Sequence, residues 1–312
     1  MKAVFYKEIS DHLNSRRFTI LFALIFLAGI FTIYVASQNI RSEVDPLTRY
    51  IFLKLFTTSG SNLPAFPFFL SLFIPIISIA LGFDAMNSEK NSGNLSRLLS
   101  QPIYRDAVIN GKFLAGLAIL AIIIISMMAF VAGLGLQLIG VAPTSEEILR
   151  ILAFTVTSII YGAFWLALSL LFSIIWDRAA TSMLASLALW IFFFLFMSMI
   201  AGAIAGAQVP ITQDSDPDVL AHHYEVSNMI SRISPSTLYG EATNALLMPE
   251  IGSLNPAIML ISSITAGRML TSLSFGQSLL LVWPQLVTMI ALAMVCFAIS
   301  YIKFLRREIR SF

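Results

Sequence analysis

The residues of this sequence that could do chemistry are few and scattered. His222, His223 and Glu225 form the one local group of metal-binding side chains, and nearby Met229 could add a ligand for copper or zinc. Their spacing is not the H-E-x-x-H pattern of zinc proteases, and a solvated loop is the better explanation because neutral His is an ordinary surface residue. Cys296 is the single cysteine, which excludes an intrachain disulfide and a cysteine-based metal cluster. We expect no catalytic residue and no bound metal, with His222 and His223 as weak candidates for one.

A nucleotide site is also missing from the sequence. There is no G-x-x-x-x-G-K-[ST] loop, whose backbone N–H groups and lysine would hold phosphates. Gly133 and Gly135 begin like a dinucleotide-binding fingerprint, but no strand precedes them, so helix packing is the better explanation. The net charge of +2 is too small to favour nucleic acid as a partner.

The composition indicates a membrane protein. Of the 312 residues, 58% are hydrophobic and 12% are charged, whereas about 25% of a soluble domain is charged. So little charge cannot cover a globule of this size, so lipid must cover much of the surface. The apolar runs are long enough for spanning helices and do not alternate as barrel strands do. The sequence predicts an all-α polytopic membrane protein with one transmembrane domain over residues 1–312.

Six apolar runs predict six transmembrane helices. Pro75 lies inside the second run and should kink it, whereas Pro284 should lie in the first turn of the last, where its missing N–H removes no helical bond. Gly202 and Gly206 in the fifth run would let two helices approach closely, within this chain or between two copies. The predicted spans are Phe18–Ser37, Phe66–Phe83, Phe113–Ile139, Ile151–Trp176, Ala180–Ala207 and Leu281–Phe304.

Lysine and arginine are concentrated on one side of these spans. Thirteen of the 19 lie on the side that holds both termini, the loop Asp84–Lys112 and Arg178. Because cytoplasmic loops are enriched in Lys and Arg, both termini are predicted to be cytoplasmic in a multi-pass protein of the cell membrane. The segment Gln208–Leu280 is then external. Its apolar stretches at 227–247 and 256–266 are more typical of re-entrant or interfacial helices than of spans.

The predicted spans hold no ionisable residue except near their ends. A proton- or sodium-driven carrier normally needs a buried carboxylate to couple the ion, so we expect the driving force to come from outside the membrane. An uncharged path favours an amphipathic, lipid-like or peptide cargo. An ion-coupled secondary transporter, a membrane enzyme and a non-transporting membrane anchor or assembly subunit remain alternative interpretations.

The loop after the second span contains a stripe of leucines. Leu95, Leu98 and Leu99 share one helical face, Asn94 can cap that helix, and Pro102 ends it. The helix could rest in the lipid headgroups, or it could insert its leucines into a groove of another protein. We favour the second interpretation.

This loop resembles the signature loop of ABC-2 type transporter permeases. Asn94 stands where threonine is commoner in the family, which preserves the capping role. With six spans in matching order, the resemblance covers nearly the whole chain and is nearest to separate six-helix permeases such as those of nitrous-oxide-reductase maturation and related export systems. The matching positions are Phe83, Asp84, Glu89, Gly93, Leu95, Leu98, Leu99, Ser100, Pro102, Arg105, Gly111 and Lys112.

The resemblance implies a half-transporter with an ABC-2 (type V exporter-like) transmembrane domain. It would pair with a second permease copy, as a homodimer or with a close relative, and with two copies of a cytoplasmic ABC ATPase. That ATPase would bind ATP and Mg, and this chain would bind no cofactor. The lipid bilayer surrounds the assembly, and an extracytoplasmic partner is compatible with it.

The resemblance also implies roles for particular segments. A coupling helix at Ser92–Ser100 would seat in the ATPase, and residues 1–17 would form an amphipathic connecting helix along the inner surface. Pro75, Gly202 and Gly206 are our candidates for the translocation path or the dimer interface. The candidate ATPase-coupling residues are Glu89, Gly93, Leu95, Arg97, Leu98, Leu99, Pro102 and Arg105, with Asp177 and Arg178 as a minor second contact.

Overall fold

The computed structural model describes residues 1–43, 50–58, 64–91, 104–211, 216–249 and 273–306. Across these ranges the chain is helical and has no β-strand. The helices are α1 (Lys2–Leu13), α2 (Arg16–Glu43), α3 (Ile51–Thr57), α4 (Phe66–Gly82), α5 (Asn87–Asn91), α6 (Arg105–Ile139), α7 (Ser145–Ile175), α8 (Ala179–Ile191), a π-helical turn (Phe192–Phe196), α9 (Met197–Gln208), α10 (Pro217–Ser231), α11 (Pro235–Leu247) and α12 (Phe275–Arg306).

Six helical segments in the described ranges are long and apolar enough to cross a membrane, which confirms the six predicted spans. The fifth consists of α8, the π-helical turn and α9 in succession. The six segments are Phe18–Gln38, Phe66–Glu89, Arg105–Leu138, Ser145–Ile175, Ala179–Gln208 and Phe275–Arg306.

The last span begins earlier than predicted, and the position given to Pro284 was wrong. Ser274 and Gln277 form a reciprocal cap, in which each backbone N–H donates to the other side chain at 2.9 and 3.4 Å. Because this capping box starts the helix at Phe275, Pro284 lies inside α12 rather than in its first turn. α7 likewise starts six residues before the predicted Ile151, at a capping box between Thr144 and Glu147.

The fourth span, α7, is the centre of the bundle. In its most apolar stretch 72% is buried, compared with 17% for the fifth span and 22% for the last. Two glycines allow α4 to pack closely on α7: a Cβ at Gly82 would lie 3.1 Å from the carbonyl oxygen of Leu166, and one at Gly162 would lie 2.9 Å from Ile74 Cγ2. The fifth and last spans therefore present most of their surface outward.

Helix α11 enters the bundle instead of lying on it. Its first turn contacts Tyr161, which is about 24 Å along α7 from Ser145 at 1.5 Å per residue, and this is roughly half the length of that helix. Ser234 and Leu238 are both buried there. Backbone that starts a helix at this depth is tolerated in a membrane where protein surrounds it. The first turn of α11 is therefore buried about halfway along the central span.

The bundle has two ends, which we name from the helices they carry. The α1 end holds α1, α5, the start of α6 and the turn Asp177–Arg178, and the α11 end holds α3, the start of α10 and the end of α11. The apolar stretch predicted at 256–266 lies outside the described residues, as does the leucine-striped helix predicted at Ser92–Ser100.

Candidate functional site

Only part of the predicted coupling site lies among the described residues. Glu89 and Arg105 flank the segment 92–103, and Asp177 and Arg178 form an exposed turn between α7 and α8 at the same end. The other candidates fall outside the described ranges, so their contacts stay predictions: Gly93, Leu95, Arg97, Leu98, Leu99 and Pro102.

Glu89 belongs to a buried group of charges, which we call the ion-pair cluster (Glu8, Glu89 and Lys112, with Lys7 at its rim). Lys112 Nζ lies 2.8 Å from Glu8 Oε1 and 3.0 Å from Glu89 Oε1. The three side chains are only 4%, 10% and 9% exposed. Lys7 is half exposed and adds contacts of 3.3 Å to Glu89 and 3.5 Å to Glu8. The cluster therefore joins α1, α5 and α6.

The backbone around the ion-pair cluster is held by two close contacts. A Cβ at Gly111 would lie 3.0 Å from Val4 Cβ, so α1 packs directly on α6 at that glycine. Ser173 Oγ of α7 accepts hydrogen bonds from the backbone N–H groups of Met86 and Asn87 at 3.0 and 3.4 Å, which fixes the start of α5. These contacts bring four helices together within one layer at the α1 end.

A cavity of about 450 Å³ lies beside the ion-pair cluster, between α1 and the ends of α2, α4 and α6. Its wall combines apolar side chains, such as Phe18 and Ile77, with polar ones, such as His12 and Asp84. Burial lowers the pKa of His12, and the carboxylates of Glu8 and Asp84 offset only part of that effect. Burial acts to lower the pKa of Lys7 as well, but Glu8 and Glu89 outweigh it and raise that pKa.

The second candidate region is the middle of the bundle, around Pro75. Proline has no N–H, so the carbonyl oxygen four residues earlier, that of Ser71, loses its helical partner. The Tyr161 hydroxyl of α7 takes that place and donates to Ser71 O at 3.2 Å. Since that proton is used, the Ser236 hydroxyl of α11 donates to Tyr161 Oη, at 3.1 Å. Tyr161 therefore joins the proline position of the second span to the first turn of α11.

A stacked tyrosine pair strengthens this junction. The rings of Tyr161 and Tyr239 lie 4.4 Å apart with 10° between their planes. The Tyr239 and Ser158 hydroxyls are hydrogen-bonded at 2.9 Å. The stacked rings and the hydrogen bond between these hydroxyls thus hold α11 against the central span, and no role was predicted for either tyrosine.

The fifth span is irregular at the same depth. Its π-helical turn, Phe192–Phe196, is of the kind often found at functional sites. The Ser234 hydroxyl, which precedes α11, donates to the carbonyl oxygen of Phe193 at 3.0 Å. The sequence Ser234-Pro235-Ser236 therefore touches irregular points of the second span, through Tyr161, and of the fifth span directly.

A buried arginine closes the α11 end. Arg150 is fully buried and donates to the carbonyl oxygens of Leu246 and Leu273 at 3.0 and 2.6 Å, to Ser278 Oγ at 3.0 Å and to Glu146 at 2.9 Å. The guanidinium thus ties α7 to the end of α11 and the start of α12. Because the predicted span began at Ile151, Arg150 was predicted to lie in a loop.

Glu147 makes a second anchor at this end. Its carboxylate accepts from the backbone N–H groups of Phe52 and Leu53 at 2.9 and 3.3 Å and so binds the start of α3. Helix α3 itself was missed in the sequence, although its four buried side chains within seven residues give it an apolar face.

The two glycines of the fifth span lie on an open face. Outside the adjacent residues and backbone of its own helix, a Cβ built at Gly202 or at Gly206 has no atom of the described chain within 4 Å. The neighbouring Ala201 and Ala205 are buried, and these form the small-residue face of α9 that packs within the chain. Pro75, by contrast, is buried inside the bundle.

The histidine pair does not assemble a metal site. His222 and Glu225 are both about two-thirds exposed and lie 4.0 Å apart. His223 Nδ1 instead donates to the carbonyl oxygen of Val209 at 2.8 Å, which fixes α10 against the end of α9. Among the described residues no three His, Cys, Asp or Glu side chains are grouped so as to hold a metal ion.

Two comparisons with known proteins extend over these regions. A family model described as "ABC-2 family transporter protein" matches residues 2–309. The chain is also similar to the "Probable ABC transporter permease protein NosY" of Pseudomonas aeruginosa, with 27% identity over 207 residues. That alignment covers 64% of this chain and 68% of the relative.

Proposed function

This chain belongs to the ABC-2 transporter family and is the membrane subunit of an ABC transporter, and from that premise we propose that a cytoplasmic ATPase moves its spans through the loop after the second span. The family consists of membrane subunits, so ATP is hydrolysed by a separate partner subunit. The observation that carries the proposal is the family match over residues 2–309, because it includes all six spans together with that loop.

The proposed orientation places the α1 end in the cytoplasm. Thirteen of the 19 Lys and Arg residues belong to this side, and in the cell membrane such residues remain cytoplasmic. The segment 92–103 then faces the ATPase. The exposed turn of Asp177 and Arg178 lies at the same end and is placed to make a smaller second contact.

The proposed assembly has two permease copies and two ATPases, which bind the ATP and Mg. The outward-facing surface of the fifth span supports this arrangement, because a pair of glycines there would allow a second copy to approach closely. When ATP closes the ATPases, packed helices would shift as units and open a path between the copies toward the outside, in the direction of export.

The proposed cargo is an amphipathic molecule, lipid-like or peptide. Buried hydroxyls and aromatic rings, rather than charges, occupy the middle of the bundle at Ser158, Tyr161 and Tyr239. Helix α11 favours a second use of the same motion. Because it links the middle of the bundle to the external end, it could transmit force to an extracytoplasmic partner.

The leucine stripe gives the direct test of this proposal. Leu95→Asp and Leu98→Asp should each prevent the loop from seating in an apolar groove of the ATPase, so both should lower co-purification of an ATPase from the native host by more than tenfold, the order of change expected when a charge replaces a buried anchor residue. Ile211→Asp, an exposed apolar position just after the end of α9 at the α11 end, serves as the control and should retain the ATPase.

The measurement is quantitative mass spectrometry of the mildly solubilised complex, with the amount of inserted permease as reference. Wild-type retention of the ATPase by both loop variants would refute the coupling role of the stripe. An absence of any ATPase from the wild-type complex would refute the proposed function itself.

A further inference from the structure

The ion-pair cluster connects the two ends of the segment 92–103. Glu89 lies three residues before the segment 92–103, and Lys112 lies nine residues after it. Their side chains meet at 3.0 Å, so this ion pair joins the two ends of that segment. Glu8 binds the same lysine at 2.8 Å and adds helix α1 to the junction.

The burial of these charges indicates that the cluster has a positional role. Removing charges from water is costly, and a buried ion pair is often no more stabilising than an apolar pair of the same size. Where such pairs are retained, fixing a particular arrangement of elements is one of their attested uses. Here an apolar pair would hold α5 and α6 together, but it would not select one relative position as the shared lysine does.

Force on the segment 92–103 passes along the chain through its two ends. One end continues into α5, whose start is fixed to α7 by the Ser173 hydroxyl, and the other continues into α6. If the two ends were independent, a push could be absorbed by a rotation of either helix alone. With Glu89 and Lys112 paired, α5 and α6 must move together, and α1 with them.

We propose that Glu89 is a positioning residue of the transporter, which acts through Lys112 and Glu8 to make α1, α5 and α6 one rigid unit and so transmits movement of the segment 92–103 into the third span. This inference rests on the proposed function and changes the role predicted for Glu89. In place of a direct contact with the ATPase, its carboxylate holds the base of the coupling segment.

The test uses the complete chain in complex with the ATPase that co-purifies from its native host. Hydrogen–deuterium exchange is compared without nucleotide and with ATP plus vanadate. In the wild-type complex we expect nucleotide to change exchange in α1 and in the first turns of α6. Glu89→Gln should keep the ATPase bound and lose that nucleotide-dependent change. Glu225→Gln, the same substitution at an exposed site on α10, should behave as the wild type does.

Exchanging the two charges distinguishes a role of Glu89 in transmitting movement from a role in stabilising the fold. E89K/K112E keeps the two carboxylates and two lysines of the cluster, whereas E89K alone leaves one carboxylate among three lysines. The exchanged chain should regain the nucleotide response, and E89K alone should not. The inference is overturned if Glu89→Gln retains the response, or if the exchanged chain accumulates and binds ATPase without it. Loss of ATPase binding by both E89Q and the exchanged chain would assign Glu89 to direct ATPase contact and would also overturn it.

The outcomes also distinguish this inference from the proposed function. If no ATPase accompanies the wild-type chain, or if its exchange does not respond to nucleotide, the proposed function fails. If the wild type responds and Glu89→Gln responds equally, only the role of the ion-pair cluster fails.

Discussion

At the scale of single residues, one hydroxyl replaces a hydrogen bond that the second span lacks. A proline inside a helix leaves a carbonyl without its usual N–H partner, and in apolar surroundings an unsatisfied carbonyl is costly. The Tyr161 hydroxyl bonds to the carbonyl oxygen of Ser71, which Pro75 leaves free, and also receives a hydrogen bond from Ser236. The proline is therefore tolerated because a residue of another span completes its hydrogen bonding.

Tyr161→Phe should therefore destabilise the chain by about 1–3 kcal/mol, because it leaves two buried polar groups without their partner. Tyr34→Phe removes a hydroxyl from a tyrosine that is 56% exposed and should have little effect. Unfolding in mixed detergent micelles would measure both variants. Equal stability of the two variants would contradict a stabilising role of the Tyr161 hydroxyl.

A double-mutant cycle tests the same point independently. Pro75→Ala restores an N–H that can donate to the carbonyl oxygen of Ser71. Tyr161→Phe should therefore cost less in the Pro75→Ala background than in the wild type. A cost that is unchanged between the two backgrounds would show that the tyrosine acts through packing alone.

Residue roles were the least predictable part of this chain. Glu89 belongs to the loop motif and was predicted to contact the ATPase, because nothing in the sequence shows that it shares a cluster with Lys112 and Glu8. The contacts Lys7–Glu89 and Lys112–Glu8 join residues that are 82 and 104 positions apart in the sequence. They form because α1 packs on α6. The role of Gly111 in that packing could not be seen either, since any helix can contain a glycine.

At the scale of the helix, close approach depends on a few positions without a side chain. Gly82 at the end of α4 faces the backbone of α7, with Leu166 O and Leu170 N at 3.1 and 3.2 Å from a Cβ placed there. Gly133 of α6 faces open space, with no atom of the described chain within 4 Å. The same residue type is thus required at one position and replaceable at the other.

Alanine should have opposite effects at these two glycines. Gly82→Ala should destabilise by about 1–3 kcal/mol, because it forces α4 and α7 apart. Gly133→Ala should stabilise by about 0.5–1 kcal/mol, because alanine favours the helix and meets nothing. Detergent unfolding midpoints would show the two shifts. Shifts of the same sign would refute this account of the α4–α7 contact.

Helix boundaries were predictable where local caps exist, although the predictions did not use all of them. T-x-x-E at Thr144–Glu147 and S-x-x-Q at Ser274–Gln277 are visible in the sequence and start α7 and α12 earlier than hydropathy suggests. Hydropathy locates the apolar part of a helix and misses polar first turns. For this reason Arg150 was predicted to lie in a loop and Pro284 in the first turn of the last span, whereas both lie inside helices.

At the scale of the whole molecule, the spans differ in how much of their surface this chain covers. Six spans were predictable, because hydrophobic length depends on composition alone. The central position of the fourth span and the outward surface of the fifth were not, since every span is apolar on all sides. The buried position of α11 was not predictable either, because an interfacial helix can also have 13 residues of mixed polarity.

The outward face of the fifth span gives the test for a second copy. A Cβ at Gly202 or Gly206 meets no other part of the described chain, so Gly202→Leu and Gly206→Leu should each insert and fold normally but block the close approach of another helix. Gly133→Leu is the control on a different open face. Cross-linking and sedimentation in detergent should show the double variant G202L/G206L as a monomer and the control as a dimer. A dimeric double variant would place the interface elsewhere.

The depth at which α11 is seated has a consequence for biogenesis. A ribosome delivers the fourth span to the bilayer before it has synthesised Ser234-Pro235-Ser236. During that interval Ser158 and Tyr161 lack the partners that α11 later provides. Insertion of the fourth span and completion of its hydrogen bonds are therefore separate events, and the middle of the bundle matures only after α11 has arrived.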